Sequence, residues 1–170
     1  SHHSSFGCPF FCNFCAVVNL AEGKWLAESA ERLGALMQHM VDTWQINAIE
    51  FHDNNFFVSE KRTAAFCEEL LRRGLKLSWW GEGRIDTMLK FSDHTWQLMR
   101  DSGLKMVFMG AESGDDTTLD LMNKGGTLTA AKTLEMAAHA RKYNIVPEFS
   151  FILGNPPDAR RDVERGIEFI

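Results

Sequence analysis

Cysteine is scarce in this chain, four among 170 residues, and three of the four fall at positions 8, 12 and 15. That is too few, and too tightly grouped, for the disulfide framework of a small secreted domain. Clustered thiols read instead as a metal site in a reducing compartment, so a cytoplasmic location is expected. Long apolar runs are also missing. None approaches the ~20 residues that a membrane span needs, and no basic segment leads into an apolar one as in a signal peptide. Basic charge is in deficit: the net charge of −5 leaves no basic face for nonspecific binding to nucleic acid. Neither a GxGxxG run after a first strand nor a P-loop occurs, which removes the fingerprints of dinucleotide and nucleotide triphosphate folds.

What is present is ordinary for a soluble globular domain, with 45% hydrophobic and 24% charged residues. The length fits one domain with a substantial core. Leu33, Leu36, Met37, Met40, Val41 and Trp44 recur at helical spacing and predict a helix over 27–43. Further helices are predicted over 59–73, with Ser59 as N-cap and Gly74 as stop, and over 92–102, 115–122 and 127–143. The last of these carries Ala130, Leu134, Ala137 and Ala138 on one face, and a final helix begins near Arg160. Between them lie strand-like runs at 46–51, 75–80, 104–109 and 148–153. Strand and helix alternate, which argues for parallel βα units and a partial (β/α) barrel. Largely apolar strands indicate that both faces of the sheet are covered. The chain opens abruptly and stops inside a helix at 158–170, so a fragment truncated at both ends is expected.

In a barrel of this kind the active site lies at the C-terminal ends of the strands. The loops expected there hold the 8–15 run, His52-Asp53-Asn54-Asn55, Glu82-Gly83-Arg84, Glu112-Ser113 and Gly154-Asn155. The first has the spacing C-x3-C-x2-C, with Phe14 directly before the last cysteine. Three thiolates on one short loop can ligate three irons of a 4Fe-4S cluster and leave the fourth open to a small molecule. A structural zinc site is the alternative; it needs a fourth ligand, which His2 or His3 could supply. Cys67 sits on the apolar side of its helix and reads as a core thiol. Of Trp79 and Trp80, at most one can face a cavity, because successive strand residues point to opposite sides. His52 is given no catalytic role, and Lys124 with Gly125-Gly126 reads as a helix stop.

This arrangement resembles the radical S-adenosylmethionine (SAM) superfamily. The resemblance rests on the cysteine run, Phe51-His52-Asp53-Asn54-Asn55-Phe56, Gly110-Ala111-Glu112-Ser113 and Phe151-Ile152-Leu153-Gly154-Asn155-Pro156, which together span almost the whole chain. It is most similar to the cobalamin-associated branch, which includes methyltransferases and an anaerobic tetrapyrrole cyclase. The resemblance implies a (β/α)6 TIM-like core domain over residues 1–170, with about five βα units and the last one missing. It further implies that Cys8, Cys12 and Cys15 bind the cluster while SAM chelates the fourth iron and is cleaved to a 5′-deoxyadenosyl radical. Methylation or cyclisation of a small organic substrate follows, with cobalamin held by a domain outside this chain and a flavodoxin- or ferredoxin-like electron donor. Methylthiolation or another cobalamin-independent reaction is the alternative.

The same resemblance assigns SAM contacts. Phe14 lies near the adenine. Asp53 and Asn54 stand where relatives carry Gly-Gly-Glu and would accept from the SAM amino group; an Asx turn is the other reading of Asp53. Arg84 would hold the SAM carboxylate with its guanidinium fork, or pair with Glu82 or Asp86. Glu112 with Ser113 would take the ribose hydroxyls, although a carboxylate here also suits the start of the next helix. Gly154 would let backbone approach the adenine or simply turn the chain. Catalytic residues and substrate are not assigned.

Overall fold

A computed structural model describes residues 1–124 and 126–170. Among these, the elements in chain order are β1 (Ser5–Gly7), α1 (Val17–Ala21), β2 (Trp25–Ala27), α2 (Ala30–Trp44), β3 (Ala48–Phe51), a 3-10 turn (Phe56–Val58), α3 (Glu60–Arg72), β4 (Ser78–Gly83), α4 (Ile85–Met88), α5 (Asp93–Asp101), β5 (Leu104–Glu112), α6 (Asp116–Leu121), α7 (Ala130–Lys142), β6 (Val146–Phe151) and α8 (Ala159–Phe169). The strands β3-β4-β5-β6 form one parallel sheet in sequence order. This is the expected α/β architecture, and His2 adds an isolated parallel bridge to Phe51 at its edge. The antiparallel pair β1-β2, which spacing did not reveal, flanks the cysteine loop. No helix among the described residues is long and apolar enough to cross a membrane.

The helix starts follow from side-chain caps. Ser29, Ser59, Ser92 and Thr129 each accept a hydrogen bond from the backbone N–H three residues on, satisfying one of the orphan donors at a helix N-terminus. The core lies between the sheet and α2, α3 and α5. There Phe51, Phe56, Phe66 and Trp79 are fully or almost fully buried, with the Phe51–Phe56 ring centroids 4.8 Å apart and Phe66–Trp79 at 5.4 Å. Cys67 joins this core, as expected, and burial pushes its thiol up to about 12.

Three expectations are corrected. The strand placed at 75–80 is β4, which runs on to Gly83. Gly81-Glu82-Gly83 is therefore sheet rather than loop, because its glycines let Phe51, Phe56 and Phe57 pack close against it. Among the described residues the sheet is covered on one face only: Phe51, Gly81 and Val107 face the helices, whereas Glu50, Trp80, Glu82 and Phe108 are half-buried on the open concave side. Trp79 is accordingly core and Trp80 faces the concave side, where its ring meets that of His52 edge-on at 6.3 Å. Finally, α7 buries Thr133, Met136 and Ala140, and Leu134 is 59% exposed. The alanine-rich stripe chosen from the sequence is not the core face. Of the stop assigned to Gly125-Gly126, Gly125 lies outside the described residues.

Candidate functional site

The cysteine loop begins where β1 ends at Gly7, whose φ of +82° and close approach to Lys24 exclude a side chain: a Cβ there would lie 2.2 Å from the Lys24 carbonyl oxygen. Behind the loop, Asp53 is completely buried. One of its oxygens accepts from the Ser4 amide at 2.6 Å, and the other accepts from the Ser4 and Ser5 hydroxyls at 2.6 Å each. Arg62 completes this anchor by donating to the Ser4 carbonyl and hydroxyl at 3.2 and 2.7 Å. Asp53 thus ties β1 to the end of β3 and does not line the cavity in front of the cysteines. Its carboxylate makes neither the SAM-facing contact nor the Asx turn read from the sequence. Asn54 and Asn55 line the cavity instead, and Asn54 accepts from the Gly7 amide at 3.2 Å.

That cavity has a volume of about 180 Å³ and brings together Cys8, Cys12, Cys15, Phe14, Arg84 and Glu112. All three cysteines carry free thiols. The loop is held on its far side by α6, where Asn13 donates from its amide to the Met122 carbonyl and from its side chain to that of Leu121, both at 3.1 Å. Burial pushes the Cys8 thiol up, while the Phe10 amide, the Arg84 charge and the Asn55 carboxamide pull it down.

Arg84, at the end of β4, is 6% exposed and does not offer a free fork. Its Nε and Nη2 grip Asp86 at 3.0 and 2.9 Å, Nη2 also reaches the Lys124 carbonyl at 2.7 Å, and Nη1 donates to the Cys12 sulfur at 3.2 Å. The guanidinium carbon sits 4.1 Å from the centre of the Phe10 ring. Burial works against its charge, but Asp86 and then Cys12 outweigh it and hold Arg84 above its ordinary value. Burial likewise opposes the Asp86 carboxylate, yet the hydrogen bonds from Arg84 and Thr127 keep it below its ordinary value. Of the two roles read for Arg84, pairing with Asp86 is present, inside the protein rather than on its surface.

On the neighbouring strand, Glu112 ends β5 with φ at +66°, a left-handed conformation uncommon outside glycine. Its carboxylate is ion-paired with Lys124 Nζ at 2.6 Å, and the same ammonium donates to the Gly110 carbonyl. Gly110 makes this possible, since a Cβ there would lie 2.0 Å from Glu112 Oε1. Lys124, read from the sequence only as part of a helix stop, is a buried wall of the site. Ser113 and Gly154 do not line the cavity. They meet at Asp162 of α8, whose carboxylate accepts from the Ser113 hydroxyl at 3.2 Å and from the Gly154 and Asn155 amides at 2.8 and 2.9 Å. On the concave face, burial pushes the Glu82 carboxyl up, with His52 opposing and Asp53 and Glu50 reinforcing the shift. His52 is exposed and pairs with Glu50 at 3.1 Å.

The donor set discriminates between metals. A single tetrahedral zinc needs its ligands about 2.3 Å from one point. Among the described residues, no three His, Cys, Asp or Glu side chains converge closely enough to hold one ion. His2 is bound to Glu28 at 3.1 Å and the His3 ring stacks on Phe6, so neither stands as a fourth ligand. Three separated thiols around a cavity suit the corners of a cluster instead.

The family profile of the radical SAM superfamily matches residues 3–170. The chain belongs to the radical SAM superfamily. Among its relatives are an uncharacterized methyltransferase, PH0819, of Pyrococcus horikoshii, 30% identical over 98% of this chain, and the anaerobic magnesium-protoporphyrin IX monomethyl ester cyclase of Cereibacter sphaeroides, 26% identical over 93%. The chain spans 35% and 26% of the lengths of those two proteins. In structure it superposes on the cobalamin-dependent radical SAM enzyme OxsB with a TM-score of 0.84 at 19% identity, covering 99% of this chain and 26% of that one. The radical SAM methyltransferase TsrM of Kitasatospora setae gives 0.82 at 18% identity, covering 98% and 31%. These likenesses establish the partial TIM-barrel fold of a radical SAM protein, with relatives in the cobalamin-dependent branch. They favour neither a cobalamin-independent reaction nor a zinc module.

Proposed function

We propose that residues 1–170 are the core domain of a radical SAM enzyme in which Cys8, Cys12 and Cys15 hold a 4Fe-4S cluster and SAM occupies the fourth iron. The observation that carries this reading is the convergence of three free thiols on one cavity whose walls are built from charged, buried side chains. When bound, such a cluster supplies the electron that cleaves SAM into methionine and a 5′-deoxyadenosyl radical. The protein's part is to bind, orient and shield. Arg84 places a positive charge beside Cys12, compensating the negative charge that thiolate ligands bring into a buried site. Phe14, 43% exposed at the cavity, offers a face for the adenine. Glu112, held by Lys124, keeps a carboxylate oxygen for hydroxyl donors such as the ribose. Asn54 and Asn55 supply side-chain carbonyls near the cysteines for an ammonium. Ser113 and Gly154 act one layer back, through Asp162.

In this reading the wider reaction is methylation or cyclisation of a small organic molecule, with cobalamin on a domain outside these residues and a small electron-transfer protein as reductant; the methyltransferase and cyclase among the relatives support it. Anaerobic reconstitution tests the core of this reading. A brown protein with four irons and four sulfides per chain is expected; one zinc, no colour and no iron uptake would overturn it.

A further inference from the structure

Asn55 is 1% exposed, and neither its side-chain nitrogen nor its side-chain oxygen has a hydrogen-bond partner. Orphaned polar atoms buried this deeply cost about 1–3 kcal/mol each, so they persist where loading of the site completes them. Asn55 lines the cavity beside Cys8, at the end of β3, in a stretch whose neighbour Asp53 is locked onto β1. Arg84 already supplies an N–H to Cys12. Among the described residues no side chain closes a hydrogen bond to Cys8, which shares the cavity with Asn55.

We infer that Asn55 is a tuning residue for the bound cluster: its side-chain N–H donates to the Cys8 sulfur when that sulfur ligates iron, and so raises the cluster's reduction potential. Reduction adds negative charge to the cluster, and an N–H pointing at a ligand sulfur stabilises the more negative state. Asn55, after β3, and Arg84, after β4, then serve two of the three ligand sulfurs. The inference rests on the reading of Cys8 as a cluster ligand.

The test is a redox titration of the cluster in the intact, anaerobically reconstituted protein, followed by electron paramagnetic resonance. Asn55→Leu keeps the side chain's size and removes the donor. At a fixed potential its ratio of reduced to oxidised cluster is expected to fall about tenfold, equivalent to about 59 mV for a one-electron couple. Asn55→Asp, which also lacks the N–H and adds a negative charge, should fall further. A residue that merely packs would alter iron content or melting temperature and leave the potential of the loaded fraction where it was. An unchanged potential in Asn55→Leu with four irons bound overturns the inference. If that variant fails to hold a cluster, wild-type protein carrying amide-15N asparagine decides: a coupled side-chain nitrogen that persists in Asn54→Ala is expected, and no coupling overturns it. Failure of the wild type to bind four irons would instead refute the parent reading.

Discussion

Replacing Arg84 by Met tests the buried network at its centre. Methionine preserves length and packing against Phe10, but leaves Asp86 at 5% exposure with Thr127 as its remaining side-chain donor. Breaking a buried ion pair by removing one partner costs about 3–5 kcal/mol, because a charge is left uncompensated. The protein can escape part of that cost by protonating Asp86. From an ordinary carboxyl value of 3.8, protonation costs about 4.4 kcal/mol at pH 7 and about 1.6 at pH 5. The escape is therefore closed at pH 7 and open at pH 5. Arg84→Met should lose about 4 kcal/mol at pH 7 and about 2 at pH 5, the smaller figure including the lost contacts with Phe10 and Cys12. For a chain of this size the pH 7 loss corresponds to a melting shift of about 8–16 °C. Urea unfolding of the reduced, metal-free protein at both pH values measures it through the midpoint at constant slope. A cost below about 1 kcal/mol at pH 7, or equal costs at the two pH values, would refute the claim that Arg84 neutralises a buried Asp86.

Further outcomes are expected from the same geometry. Alanine at Cys8, Cys12 or Cys15 should abolish iron binding, whereas Cys67→Ala should keep four irons; with its thiol pushed up to about 12, native Cys67 should also resist alkylation at pH 8. Asp53→Ala orphans the Ser4 and Ser5 donors and should cost about 3 kcal/mol or more in chemical denaturation; calorimetric titration should show SAM affinity falling only in proportion to cluster loading. Gly110→Ala drives a Cβ into Glu112 and should cost about 1–3 kcal/mol, with weaker SAM binding at unchanged iron content. Asp86 titrates below its ordinary value in the folded protein. Its contribution is thus fully present above that ordinary value and lost as pH falls through the lower folded one, a loss that Asp86→Asn should remove from the acid-unfolding curve.

How much of the fold and site is legible in the sequence depends on the range of each interaction. Helices were legible because their signals are local: Ser59 caps α3 through its own side chain, and apolar spacing placed Leu33 and Met37 on the buried side of α2. The limits of β4 were not, since Leu75 and Leu77 look like strand while Gly81 and Gly83 look like loop. Pairing with β3 and β5, and room for Phe51 and Phe57, decide otherwise. The cysteines announced themselves by spacing alone. The groups around them did not, because their partners are distant in the chain. Lys124 reaches Glu112 only after α6 turns back, and Asp162 gathers Ser113 and Gly154 from two strand ends. Asp53 shows the opposite error: a residue in the right loop whose side chain is drawn behind it by two serines.

The central claim, that the open corner of a three-cysteine cluster belongs to SAM, is tested most directly by the electron paramagnetic resonance spectrum of the reduced, reconstituted protein with and without SAM. A change in the g-values on adding SAM is the predicted result. A four-iron cluster whose spectrum is indifferent to saturating SAM would contradict it.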